Sequence, residues 1–231
     1  MCDNCKPGKF PHNTMDVERA RTNMIESQIR TWEVLDQALL DLLATVRREE
    51  FVPPQYRSLA FADMEIPLGH DEVMLAPKLE ARMLQELALT RADKVLEVGT
   101  GSGYVTALLA HLAGQVVSVE RIEEFIHAAA RKIAGHDLGN VALEAGDAAK
   151  GWERQAPYDA ILLTGSVPLL PEAFREQLAT GGRLLAVIGD EPVMTATLIT
   201  RVSDKAFESI GLFETCIRPL RNVEQPERFV F

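Results

Sequence analysis

A chain of 231 residues with 47% hydrophobic and 25% charged residues has the composition of a globular protein. At this length about 70% of the unfolded surface can be buried, so folding requires neither disulfides nor a structural metal. A balance of 24 Lys+Arg against 34 Asp+Glu gives a net charge of −10 and a pI near 5.1, which speaks against a broad nucleic-acid face.

Residues 1–14 carry Pro7, Gly8 and Pro11 without an apolar period and read as a disordered leader. Cys2-x-x-Cys5 in that leader lacks a second ligand pair, so no metal is expected, and three cysteines fit a reducing, cytoplasmic setting. No apolar run approaches the roughly 18 residues of a membrane span, and no membrane partner is expected. A loosely helical stretch over Asp16 to Arg30 precedes a stronger one after Asp36, with Leu39, Leu40, Leu42, Leu43 and Val46 on its apolar positions. Ser58 to Ala76 reads as irregular and exposed. Pro77 opens a further helix carrying Leu79, Met83, Leu84 and Leu87.

After Asp93 short apolar runs alternate with helical stretches, the pattern of a mostly parallel sheet with helices on both faces. The spacing predicts strands at Lys94 to Val98, Val116 to Glu120, Val141 to Glu144, Asp159 to Thr164 and Arg183 to Ile188. It places helices over Tyr104 to Leu112, Glu123 to Ala134 and Glu172 to Leu178. Thr195 to Arg201 and Phe213 to Arg218, flanking the more polar Ser203 to Ser209, predict an antiparallel edge.

Where the first of these strands meets its helix stand Glu97, Val98, Gly99, Thr100, Gly101, Ser102, Gly103 and Tyr104. Glycines there permit positive φ and a close approach to the helix N-terminus. The spacing is G-x-G-x-G, and Tyr104 stands where a dinucleotide fingerprint needs glycine, which disfavours a pyrophosphate cofactor and a dehydrogenase. Glu120 ends the second strand, where a carboxylate can take a ribose diol. Gly146 and Asp147 follow the third, where an acid can accept from an adenine amino group. Glu97 is a candidate for an amino group. Arg121, Ala148 and Thr164 complete the candidate cofactor set along the same edge. These acids describe a cationic nucleoside without phosphate, the character of S-adenosyl-L-methionine.

From about Ala20 to Pro219 the chain resembles the protein-L-isoaspartate (D-aspartate) O-methyltransferases. The resemblance is carried by Val95 to Tyr104, Arg48-Glu49-Glu50-Phe51-Val52-Pro53-Pro54, Ile66-Pro67-Leu68-Gly69-His70, Gly146-Asp147, Gly151-Trp152 and Gln177-Leu178-x-x-Gly181-Gly182. It implies a Rossmann-like class I methyltransferase domain over 77–231 and an N-terminal helical cap with the substrate loop over 15–76. The implied donor is S-adenosyl-L-methionine, and the implied activity is methylation of isoaspartyl carboxylates in damaged proteins or peptides. The loop departs from the family pattern. After Gly69 and His70 the family reads Gly-Gln-Thr-Ile-Ser-x-Pro, where this chain has Asp71, Glu72, Val73, Met74, Leu75, Ala76 and Pro77. Val73 and Leu75 occupy the hydroxyl positions, so no catalytic residue is named. The family's Val-Pro-Leu-Thr reads Arg218, Pro219, Leu220 and Arg221. The expectation is a donor-binding methyltransferase whose isoaspartyl activity is weak or absent. The alternatives are a neutral or cationic small acceptor, or a non-catalytic donor-binding protein.

Overall fold

The computed structural model describes residues 16–226; the leader expected over 1–14 lies outside them. Seven α-helices and nine strands are formed among these residues, with short 3-10 and π segments between them. In the N-terminal part, α1 (Val17–Met24) is capped by Asp16, whose side chain accepts from the Arg19 N–H, and α2 (Gln37–Thr45) by Asp36, which accepts from Ala38 and Leu39. α3 (Arg48–Phe51) follows. The apolar spacing of α2 buries Leu39, Leu40 and Leu43.

The stretch expected to be irregular contains a hairpin, β1 (Ile66–Gly69) and β2 (Glu72–Met74), whose tip bends through Gly69, His70 and Asp71 at positive φ. Strands of four and three residues carry too little alternation to be visible in sequence. α4 (Pro77–Leu87) begins with proline at its first turn and ends at Ala88 in the left-handed region.

The large sheet has the order β5-β4-β3-β6-β7-β8-β9. Its strands are β3 (Lys94–Val98), β4 (Gln115–Glu120), β5 (Val141–Ala145), β6 (Tyr158–Leu163), β7 (Leu178–Asp190), β8 (Val193–Arg201) and β9 (Phe207–Thr215). The strands from β5 to β7 are parallel; β8 and β9 add an antiparallel edge. α5 (Tyr104–Leu112), α6 (Glu123–Ala134) and α7 (Glu172–Glu176) connect them. Two-residue alternation splits the core: Val95, Val116, Ala160 and Leu162 pack with the N-terminal helices, while Leu96, Val117, Ile161 and Leu163 face a second apolar cluster.

Three boundaries differ from expectation. The helix expected from Glu172 stops at Glu176, and Leu178 already begins β7, which runs on to Asp190. The last strand is Phe207–Thr215, not Phe213 to Arg218. As an edge strand with a register irregularity against Ala196 and Thr197, it buries little and lacks clean alternation. The first helical stretch closes through a π segment (Ile25–Ile29) and a 3-10 turn (Arg30–Trp32).

Candidate active site

β3 and β6 are neighbours, but the strands that follow them lie on opposite sides, so their carboxyl ends flank the switch point where such sheets open a crevice. The glycine turn fills this position. Gly99 has φ +98, and a Cβ there would lie 2.3 Å from the Thr164 hydroxyl at the end of β6. Gly103 has φ +83 and leaves room for the Ala129 side chain of α6 at 2.9 Å from a virtual Cβ. The turn is thus compressed between the next strand and the next helix, which only glycine permits.

A pocket opens over this turn. Gly99, Thr100, Gly101 and Ser102 form its floor; Glu120 and Arg121 line it from the end of β4, and Gly146, Asp147 and Ala148 from the end of β5. Thr164 closes the β6 side. Both Glu120 oxygens are oriented by backbone donors, Oε2 by the Gly101 N–H at 3.0 Å and Oε1 by Ile122 at 2.9 Å. Asp147 accepts from the Ala149 N–H at 3.0 Å and from the Asn222 amide at 2.5 Å. Partial burial disfavours its charge, but those hydrogen bonds, with Arg121 and Lys150 nearby, hold the carboxyl below its usual range. It is an anion at neutral pH.

The remaining walls come from far along the chain. Val73, Met74 and Leu75 enter from the hairpin, and Arg218 and Arg221 from the segment after β9. That segment is tied to the sheet edge: Ser166 N–H donates to Arg218 carbonyl and Leu220 N–H to Ser166 carbonyl, both at 2.9 Å. It is tied to the hairpin by Arg218 Nη1 on the Asp71 carbonyl at 2.6 Å and by Arg221 Nε on Glu72 Oε1 at 3.0 Å.

Several candidates lie outside the pocket wall. Glu97 is fully buried beneath the floor, because its register partner on β4 is Ser118. Its Oε2 accepts from the Ser118 and Thr106 hydroxyls, each at 2.6 Å, and its Oε1 has no partner. Burial pushes this carboxyl up to about 8 despite the two hydroxyl donors. The structure therefore does not bring Glu97 to the wall as a ligand for an amino group. Tyr104 is also buried: its ring packs against Phe51 at 5.5 Å and beneath the Arg48 guanidinium at 5.1 Å. Gly103 faces α6, Gly69 shapes the hairpin tip, and Pro77 starts α4. His70 is exposed, 2.8 Å from Glu124, with its ring edge on Phe125, which does line the pocket.

Sequence reasoning missed Glu80, Phe125, Leu220 and Asn222. Glu80 lines the pocket from α4, is 2% exposed and forms a buried ion pair with Arg48, which also donates to the carbonyls of Ala60 and Leu75. Burial raises the Glu80 carboxyl to about 7 against the pull of Arg48. The signal was present, since Glu80 stands one turn from Met83 and Leu84 and two turns from Leu87, an acid in an apolar stripe. Asn222 had none: its contact with Asp147 joins residues 75 positions apart.

Comparison with known proteins follows the same lines. The family described as Protein-L-isoaspartate(D-aspartate) O-methyltransferase (PCMT) matches residues 19–222. Protein-L-isoaspartate O-methyltransferase 1 of Rhodopseudomonas palustris (strain HaA2) is 39% identical over 184 residues, covering 79% of this chain and 75% of that protein. Protein-L-isoaspartate O-methyltransferase of Cronobacter sakazakii (strain ATCC BAA-894) is 37% identical over 190 residues, covering 82% and 91%. Among solved structures, a putative protein-L-isoaspartate O-methyltransferase from Plasmodium falciparum in complex with S-adenosyl-L-homocysteine superposes with a TM-score of 0.75. It covers 87% of this chain and 98% of that one, and at 20% identity this likeness bears on the fold.

Proposed function

This chain belongs to the protein-L-isoaspartate(D-aspartate) O-methyltransferase family, and from that premise we propose that it methylates the carboxylate of isoaspartyl residues in proteins or peptides with S-adenosyl-L-methionine as donor. The observation that carries this reading is the pairing of Glu120 and Asp147, each fixed by hydrogen bonds, across a cradle at Gly99 that a single Cβ would fill. The donor set suits adenine, a ribose diol and a positive charge, and Tyr104 stands where the pyrophosphate fingerprint needs glycine. Glu120 would hold the ribose hydroxyls and Asp147 the adenine amino group. When bound, S-adenosyl-L-methionine supplies an electrophilic methyl group on a sulfonium.

The chain's own residues then position and desolvate. A free carboxylate with a reference pKa of about 3.9 is ionised at neutral pH, so no general base is needed, and rate depends on holding it in line at about 3 to 3.5 Å. Leu75, Val73 and Phe125 give the pocket apolar surface that excludes water. In this reading residues 15–76 act as cap and substrate loop to a methyltransferase domain over 77–231. No helix among the described residues is long and apolar enough to cross a membrane, and a cytoplasmic setting with protein or peptide partners fits the donor and the three cysteines. A neutral or cationic acceptor, or donor binding without turnover, is not favoured by the family match.

The test pairs calorimetric binding of S-adenosyl-L-homocysteine with labelled-methyl transfer to an isoaspartyl peptide and its normal aspartyl counterpart. Binding together with transfer to the isoaspartyl peptide alone is expected. Binding without transfer to either peptide would overturn the acceptor assignment.

A further inference from the structure

A carboxylate accepts hydrogen bonds and donates none, so a site that holds one must offer donors. Around this pocket the obvious hydroxyls are already committed. The Thr164 hydroxyl donates toward the carbonyls of Val98 and Gly99, at 2.9 and 2.8 Å. Ser118 donates to Glu97, so Thr100 must donate to Ser118 across 2.6 Å. The side chains of Val73 and Leu75 have only hydrocarbon to offer. Ser102 accepts from the Tyr104 N–H at the start of α5, on the donor's side of the pocket. Arg121 acts on Asp147, the residue assigned above to the adenine amino group.

Two guanidiniums remain, at the hairpin mouth. Arg218 Nη1 is held by the Asp71 carbonyl, and its charge acts on the partly buried Glu65. Among the described residues Arg221 uses only Nε, toward Glu72, and both Nη groups of its fork have no partner there. The backbone between them is fixed to Ser166, so the fork is presented from a rigid base. We propose that Arg221, backed by Arg218, is the anchor for the acceptor carboxylate, replacing hydroxyl donors with a planar fork that a carboxylate can meet bidentately. Glu72 is then a place-holder, a carboxylate of the chain itself that the acceptor displaces; the pair is half exposed, and exposed ion pairs are weak enough to exchange readily. This assignment rests on the isoaspartyl reading above and specifies how the same pocket recognises its acceptor.

The test is steady-state methylation of an isoaspartyl peptide by the wild type, Arg221→Met, Arg221→Lys and Glu72→Gln, with the Kd of S-adenosyl-L-homocysteine measured for each. Loss of a hydrogen-bonded charge predicts a KM for peptide at least about tenfold higher in Arg221→Met. Lysine should rescue part of this, since it restores the charge without the fork. Glu72→Gln should lower KM by removing the competitor, and donor-product affinity should stay within about twofold throughout. A peptide KM unchanged in Arg221→Met overturns the anchor while leaving the isoaspartyl reading intact. A parallel rise in KM and Kd also overturns it, because the segment would then only seal the donor pocket. A wild type that binds the product but methylates no isoaspartyl peptide removes the reading and the anchor together.

Discussion

At Glu97 the chain holds a carboxyl where ionisation is disfavoured, because one oxygen meets two hydroxyl donors and the other meets nothing. The unfolded carboxyl titrates near 4.5 and the folded one near 8. The folded state therefore binds the extra proton between these values, and the stability this contributes is full below about 4.5 and lost as pH rises through 8. Glu97→Gln, neutral at every pH, should flatten the fall in melting temperature between pH 5 and 8.5; an unchanged slope would show that Glu97 ionises normally. Asp147 has the opposite bias and is charged throughout this range. Asp147→Asn should weaken S-adenosyl-L-homocysteine binding about tenfold by calorimetry, the value of a hydrogen bond to a charged acceptor. Both acids were visible in the sequence as strand-end residues. Which way Glu97 points was not, since that depends on Ser118 lying opposite it in the register of β3 and β4.

Elements were legible where their pattern is local. The parallel strands read as apolar runs, and α2, α4, α5 and α6 as apolar stripes, because burial of one face imposes the period. The β1–β2 hairpin was lost between short strands, and β9 because an edge strand satisfies only one ladder. The β3–α5 turn is the most constrained of these junctions. Gly99→Ala would place a methyl 2.3 Å from the Thr164 hydroxyl at a φ of +98, and should abolish donor binding or folding, checked by thermal melts and calorimetry together. α3 and α4 are joined by the buried Arg48–Glu80 pair. Arg48→Met strands a buried acid and should cost about 3 to 5 kcal/mol in denaturant unfolding, whereas adding Glu80→Leu should recover much of that loss. If the double variant is no better than the single one, the pair is not what links the two helices.

Across the whole molecule, the net charge of −10 looked like a property of the surface, yet Glu120, Asp147, Glu72 and Glu80 stand in one pocket with Arg121, Arg218 and Arg221 among them. Their convergence is a property of the fold, because Arg121 comes from the end of β4, Arg218 and Arg221 from the segment after β9, and the acids from four different elements. Ligand and fold are linked here: S-adenosyl-L-homocysteine at about 100 times its Kd should add roughly 2.7 kcal/mol to the unfolding free energy, read as a concentration-dependent rise in melting temperature. A flat response would mean that the pocket does not take it.

The contact of Arg221 with Glu72 joins residues 149 positions apart in sequence, and the pocket draws walls from both and from much between. During synthesis, then, a ribosome-bound chain can have its glycine turn, Glu120 and Asp147 in place while the mouth still gapes. Only when the chain past residue 221 has been made and has folded back on the hairpin does the chamber gain its last side, so the pocket is among the last features of the fold to be completed.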